Sequence, residues 1–193
     1  MTACCDRAGA RPSICWVVTG AGHFLAESGE CVLSIGSSSV DLDLYFTRAG
    51  REVAERYGQM ERLRRAARGV FFEDDSSSSR LIFFSSGRYD ALVIAPATSN
   101  TVAKCALGIA DSLASNFFAQ AGKSGVPIYV LPTDVEPEMI SITPSGRAVE
   151  VRPRALDLMR SDELGRFPGV TLTRSPEDLR RSLRQFLGSG GVE

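Results

Sequence analysis

The chain has 193 residues, of which 44% are hydrophobic and 23% charged, with a formal net charge of −1. That length suits one domain with a sizeable core, and the charge balance gives no reason to expect nucleic acid or an anionic membrane as partner. No apolar run approaches the roughly 18 residues of a spanning helix, and scattered cysteines with a single histidine, His23, argue against a metal site and for reduced thiols in a cytoplasm.

Residues 1–12 read as a flexible leader without the apolar core of a signal peptide, which leaves 13–193 as a single domain. Ile14–Thr19 (ICWVVT) has the continuous apolar character of a strand buried on both faces and closes at Gly20-Ala21-Gly22. His23–Ile35 reads as a helix. Val40–Phe46 (VDLDLYF) alternates apolar and acidic residues, the pattern of a strand with one more exposed face. Helices are expected near Glu52–Tyr57 and Met60–Arg68, and the serine run Ser76–Ser79 reads as a mobile loop. Ala91–Ala95 is a second fully apolar strand, stopped at Pro96, and helices follow at about 99–107 and 111–121. Pro127–Leu131 is another buried strand. SITPSGRAVEV offers a turn and a short strand, Val170–Thr173 a last strand or edge, and Pro176–Leu187 a helix with Leu179, Leu183, Phe186 and Leu187 on one face. Short apolar strands alternating with helices imply an α/β fold: a doubly wound, Rossmann-like (flavodoxin-like) parallel sheet with helices on both faces.

In such a sheet ligands bind outside the C-terminal strand ends. Three strands end in small polar or glycine-bearing loops: TGAGH (19–23), TRAG (47–50) and PATSNT (96–101). Glycines allow close backbone approach, and helix N-termini offer free N–H groups to a phosphate. The loops together describe a site for a flat, phosphorylated cofactor. TGAGH lacks the third glycine of GxGxxG and no GxxxxGK[ST] occurs, which disfavours a Walker-type nucleotide hydrolase.

PATSNTVAKCALGIADSL resembles the PAxxNTxxKxxxGxxDxL signature of the homo-oligomeric flavin-containing cysteine decarboxylase superfamily, matching it at Pro96, Ala97, Asn100, Thr101, Lys104, Gly108, Asp111 and Leu113. VTGAGHFL, FTRAGREVAERYG and SNFFAQAGKSGVPIYVLPTD extend the likeness over residues 14–134, in the style of the archaeal-type flavoprotein branch and its dihydromethanopterin reductases. The resemblance implies non-covalent FMN, with Thr19, Gly20, Ala21 and Gly22 passing under it and Thr47 near its phosphate. Ala97, Thr98, Ser99, Asn100 and Thr101 would hold the ribityl chain and the flavin edge. It implies an FMN-dependent reductase of a pterin substrate, dihydromethanopterin, fed by an unidentified electron donor, and a homo-oligomer built from trimers. The alternatives are a non-catalytic electron-transfer flavoprotein and a decarboxylase or prenyltransferase of the same superfamily. The superfamily's upstream histidine is missing from 70–95 and its PxMNxxMW segment is replaced by PTDVEPEMI, so decarboxylation is not expected.

Several residues carry two readings. His23 is a proton donor or a structural hydrogen-bonder. Lys104 touches the flavin or pairs with Asp90 or Asp111, and Cys105 reads as core. Ser112, Asn116 and Gln120 share a stripe that is either solvated or presented to another protomer's flavin. Asn116 and Gln120 are therefore substrate candidates, as is Arg154, which with Arg152 and Asp157 either grips a pterin or forms a surface charge cluster. The charge-free run 112–120 and the adjacent Phe117 and Phe118, which one core would not easily bury together, suggest a protomer contact.

Overall fold

The computed structural model describes residues 11–35, 40–73 and 82–189. Ten residues of the expected leader and the serine run Ser76–Ser79 fall outside them. One parallel sheet holds β1 (Ser13–Val18), β2 (Asp41–Phe46), β3 (Gly69–Phe72), β4 (Ala91–Ala97), β5 (Ile128–Pro132) and the short edge strand β8 (Val170–Leu172). An antiparallel hairpin of β6 (Met139–Ile142) and β7 (Ala148–Val151) lies between β5 and β8 in sequence. The order in space is β3-β2-β1-β4-β5-β8. Chain direction across the sheet therefore reverses between β1 and β4, the Rossmann switch point.

Alternate residues of the buried strands feed two cores. Ile14, Trp16 and Val18 of β1 and Val93 and Ala95 of β4 face α1 (Leu25–Ile35), α2 (Arg48–Arg56), α3 (Met60–Ala66) and α8 (Pro176–Ser189). Cys15, Val17, Leu92 and Ile94 face α4 (Ile82–Ser85), α5 (Ser99–Ala106), α6 (Leu113–Lys123) and α7 (Ala155–Leu164). The expected terminal helix docks through Leu179 and Leu183, both fully buried. Cys105 belongs to the second core, where burial pushes its thiol up to about 12.

Four expectations change. The first helix begins at Leu25 rather than His23, after Phe24 turns the chain at φ 62°. Strand β4 does not stop at Pro96: it runs on to Ala97, and its pairing with β5 shifts register between Ile94 and Ala97, the irregularity that lets a proline sit in a central strand. Strand β2 has no exposed face, because only Asp41 keeps partial access to solvent and Asp43 is 1% exposed. Phe117 and Phe118 both bury in one core: α6 sets Phe117 edge-on against Tyr45 at 4.8 Å and Phe84 at 5.4 Å, and Phe118 packs in the same cluster. Their adjacency therefore gives no argument for a second protomer.

Asp43 is tolerated inside because its carboxylate accepts four hydrogen bonds, one on Oδ1 and three on Oδ2. Arg68 bonds both carboxylate oxygens at 3.2 and 2.9 Å, Arg88 adds a contact at 3.1 Å, and the Tyr89 hydroxyl donates at 2.8 Å. The Tyr89 proton is thereby committed, so the Tyr45 hydroxyl 2.7 Å away donates to Tyr89. This cluster ties β2 to the entrances of β3 and β4. Asp43→Asn, which keeps the shape and removes the charge, should cost about 2–3 kcal/mol of stability in urea unfolding; a loss under about 0.5 kcal/mol would show that the arginines need no buried partner.

Candidate functional site

Each of the three polar loops expected to form a site follows a strand of the parallel sheet, so all three emerge at one edge. Thr19 follows β1, Thr47 follows β2 and Thr98 follows β4. Thr19 is 2% exposed and latches the two strands on either side of the switch point: its Oγ1 donates to the Pro96 carbonyl at 2.7 Å and accepts from the Thr98 N–H at 3.0 Å. Thr47 caps α2, its Oγ1 accepting from the Gly50 N–H at 3.0 Å. Thr98 caps α5 in the same way, accepting from the Thr101 N–H at 3.2 Å, with the Thr101 hydroxyl 3.0 Å from its own. Ser112 caps α6 through a reciprocal box with Ser115.

These caps bring three helix N-termini to one cleft of about 470 Å³, lined by Thr19, Gly20, Thr47, Ala49, Asn100 and Thr101 among others. Helix N-termini carry partial positive charge and orphan N–H groups, which makes the cleft receptive to an anion. Ala49 and Asn100, the second helical residues of α2 and α5, have N–H groups without a hydrogen-bond partner among the described residues, and the exposed Asn100 side chain is likewise uncommitted. Arg48 and Glu52 also line the cleft, and so does Glu73, whose carboxylate accepts from the Arg48 N–H and the Leu113 N–H, each at 2.8 Å.

Two of the glycines have a packing task beside the one the sequence suggests. A Cβ on Gly20 would stand 2.5 Å from the Ala49 Cβ, and one on Gly22 would collide with the Tyr57 ring. Their absent side chains let α2 close against the β1 loop, so the close approach is made by protein. Ala21 and Ala97 are buried, and Ala97 offers its carbonyl to Thr133. Ser99 opens α5 beside the cleft without lining it. His23 lies outside the cleft lining with its ring tilted 40° against that of Phe24, centroids 3.9 Å apart; partial burial lowers its pKa against the pull of Glu27 and Asp134.

Three further candidates do not reach the cleft within one chain. Asn116 and Gln120 are half-buried on α6, where only Ser112 of the stripe lines the cleft. Arg154 is largely exposed and spends its guanidinium on Asp157 at 2.7 and 2.9 Å, closing the first turn of α7, and Arg152 pairs with Glu150. The surface-cluster reading of those arginines is the one the geometry gives. Lys104 pairs with Asp111 at 2.8 Å. Sequence reading missed Glu73 and Glu52, and named Arg48 and Ser112 only as members of the 47–50 loop and the 112–120 stripe; the usable signal for Glu73 was FFED at 71–74, a carboxylate directly after a short aromatic strand.

Among known proteins, the family model described as Flavoprotein matches residues 6–142. The chain belongs to the Flavoprotein family. A dihydromethanopterin reductase (acceptor) of Methanosarcina mazei is 41% identical over 140 residues, covering 68% of this chain and 59% of that protein. This flavoprotein thus spans about three fifths of the reductase's length. The crystal structure of Burkholderia xenovorans DmrB in complex with FMN, described as a cubic protein cage for redox transfer, superposes with a TM-score of 0.83 at 37% identity, covering 95% of this chain and 99% of that one. The FMN-dependent cysteine decarboxylase TvaF shares the fold alone, with a TM-score of 0.65 and 18% identity over 92% of this chain and 98% of that one.

The Thr19 latch supplies the first test. Thr19→Val keeps the shape but leaves the Thr98 N–H without its acceptor, and should cost about 1–3 kcal/mol in urea unfolding. A neutral substitution would mean that the switch-point loops hold their places without it. His23 supplies the second. Its folded pKa lies below the ordinary value, so the unfolded chain takes up the proton first; the contribution to stability is present above the unfolded value and is lost as pH falls from there through the folded value. An NMR titration should place the imidazole pKa below 6.5, and a value above it would put the carboxylates in control.

Proposed function

We propose that this flavoprotein binds FMN non-covalently in the strand-end cleft and is an FMN-dependent oxidoreductase that reduces dihydromethanopterin to tetrahydromethanopterin. The observation that carries the reading is the convergence of the α2, α5 and α6 N-termini on one cleft with uncommitted donors at Ala49 and Asn100. A phosphate suits the first of these and a polar ring edge the second. When bound, FMN supplies hydride chemistry to a C=N bond.

The chain's own residues bind and orient. Thr47 and Ala49 at the start of α2 hold the phosphate, and Thr19 with Gly20 forms the floor. Asn100 and Thr101 contact the ribityl chain and ring, and Ser99 supplies backbone beside them. The pterin reading is supported by the name of the Methanosarcina mazei relative, 41% identical over 140 residues. The electron donor is an unidentified partner.

Assembly into trimers or a multiple of them is part of the proposal. Asn116 and Gln120 then serve a neighbouring protomer's substrate rather than their own chain's. Supporting this are their half-burial on a helix face with no charge from 112 to 120, and the cubic cage of the Burkholderia protein, since a cube has threefold axes. No described helix is long and apolar enough to cross a membrane. Free, buried Cys15, Cys31 and Cys105 suit a reducing cytoplasm.

The deciding experiment reduces the protein-bound flavin anaerobically and mixes it with dihydromethanopterin in a stopped-flow cell. Rapid single-phase reoxidation is the expected result; a flavin that is reoxidised only by a redox protein makes the chain an electron carrier. Asn100→Ala should weaken FMN binding about ten- to hundredfold with the fold intact. Unchanged affinity would return Asn100 to the status of an exposed helix-start residue.

A further inference from the structure

The cleft already contains an anion. The carboxylate of Glu73, directly after β3, accepts from Arg48, the first residue of α2, and from Leu113, the first residue of α6, at 2.8 Å each. Those helices belong to opposite faces of the sheet, α2 with the Trp16 core and α6 with the Phe117 core. One carboxylate therefore bridges both layers across the C-terminal edge and occupies the Arg48 N–H, next in the chain to the uncommitted Ala49 N–H. It shares the cleft lining with Thr47, Ala49 and Asn100.

We propose that Glu73 is the built-in counter-anion of this cleft, competing with the phosphate group of an incoming ligand for the α2 N-terminus and thereby setting how much that phosphate contributes to affinity. The proposal rests on the FMN reading of the site and adds the residue that tunes it. A phosphate at Thr47 and the Ala49 N–H would share one helix end with the carboxylate on the Arg48 N–H, and like charges at this range repel, less strongly as salt screens them. A phosphate arriving at Thr47 and Ala49 must displace the Glu73 carboxylate from Arg48 or share the helix end with it at a cost. A ligand lacking the phosphate meets no such competition. The pairing also explains why an acidic side chain lines a cleft otherwise built to attract anions: without a ligand, the carboxylate satisfies donors that would face the cleft unpaired. Arg48 and Glu52, which line the same cleft, leave the argument unchanged, because neither is held by two helix N-termini.

Glu73→Gln keeps an oxygen acceptor for one amide and removes the charge. Binding of FMN and of riboflavin to the wild type and the variant, followed by flavin fluorescence, separates the two parts of the ligand. FMN should bind the variant about three- to tenfold tighter, riboflavin within about twofold of wild type, and the FMN gain should shrink at 1 M salt. Thermal protection by inorganic phosphate alone should likewise be greater in the variant. Equal changes for FMN and riboflavin, or weaker FMN binding, would make Glu73 a structural clasp and overturn the proposal. Should Glu73→Gln not fold, Glu73→Met, of similar length and without charge, carries the same expectation. If neither form binds any flavin, the FMN reading falls, and the phosphate arm still decides the part played by Glu73.

Discussion

A parallel sheet delivers every following helix to the same edge, N-terminus first, and the cleft of this flavoprotein is a consequence of that constraint. Unpaired N–H groups accumulate wherever helices begin. Here α2, α5 and α6 begin around one volume, α2 after β2, α5 after β4 and α6 directly after α5. The chain answers with short oxygen-bearing residues, Thr47, Thr98 and Ser112 as caps and Thr19 as the tie between strands. The surplus of polar side chains at 98–101 is thus divided: Thr98 and Thr101 cap the helix while also lining the cleft, and the Asn100 side chain has the cleft alone.

Polar groups at the two ends of the sheet are handled in opposite ways. At the N-terminal end Asp43 is sealed among Arg68, Arg88 and Tyr89, saturated with donors and dedicated to holding strands together. At the C-terminal end Glu73 holds two backbone amides at the wall of an open cleft. The first arrangement is a fixed internal joint; the second can exchange its partners with a ligand. Placing the exchangeable one after the edge strand β3, at the cleft wall, couples the resting structure of the cleft to its occupation.

Much of this was legible in the sequence. The all-apolar strands ICWVV and ALVIA and the PATSNT motif were readable because burial on both faces and polar strand ends each leave a local pattern, whereas the cap at Thr47 was not, the helix being expected only from Glu52 and starting at Arg48. The role of Asp43 was not: VDLDLYF looks amphipathic, and only the arginines at 68 and 88, far along the chain, make its burial possible. Strand β3, four residues long, and helix α7, capped by Arg154 with Asp157, escaped for lack of a periodic signal. Phe117 and Phe118 misled because α6 is lined by apolar groups on two adjacent sides, which is a property of tertiary packing rather than of the helix. For Glu73 the sequence signals only a carboxylate after an aromatic strand; its role was not legible, since its two partners lie 25 and 40 residues away.

The central claim is that the phosphate of FMN belongs at the α2 N-terminus and its ring at the α5 N-terminus, within the same strand-end cleft. A crystal structure of the protein with FMN tests this most directly. The account predicts phosphate oxygens within hydrogen-bonding distance of Thr47 and the Ala49 N–H, with the isoalloxazine beside Asn100. Flavin density elsewhere on the fold, or a phosphate away from α2, would contradict it.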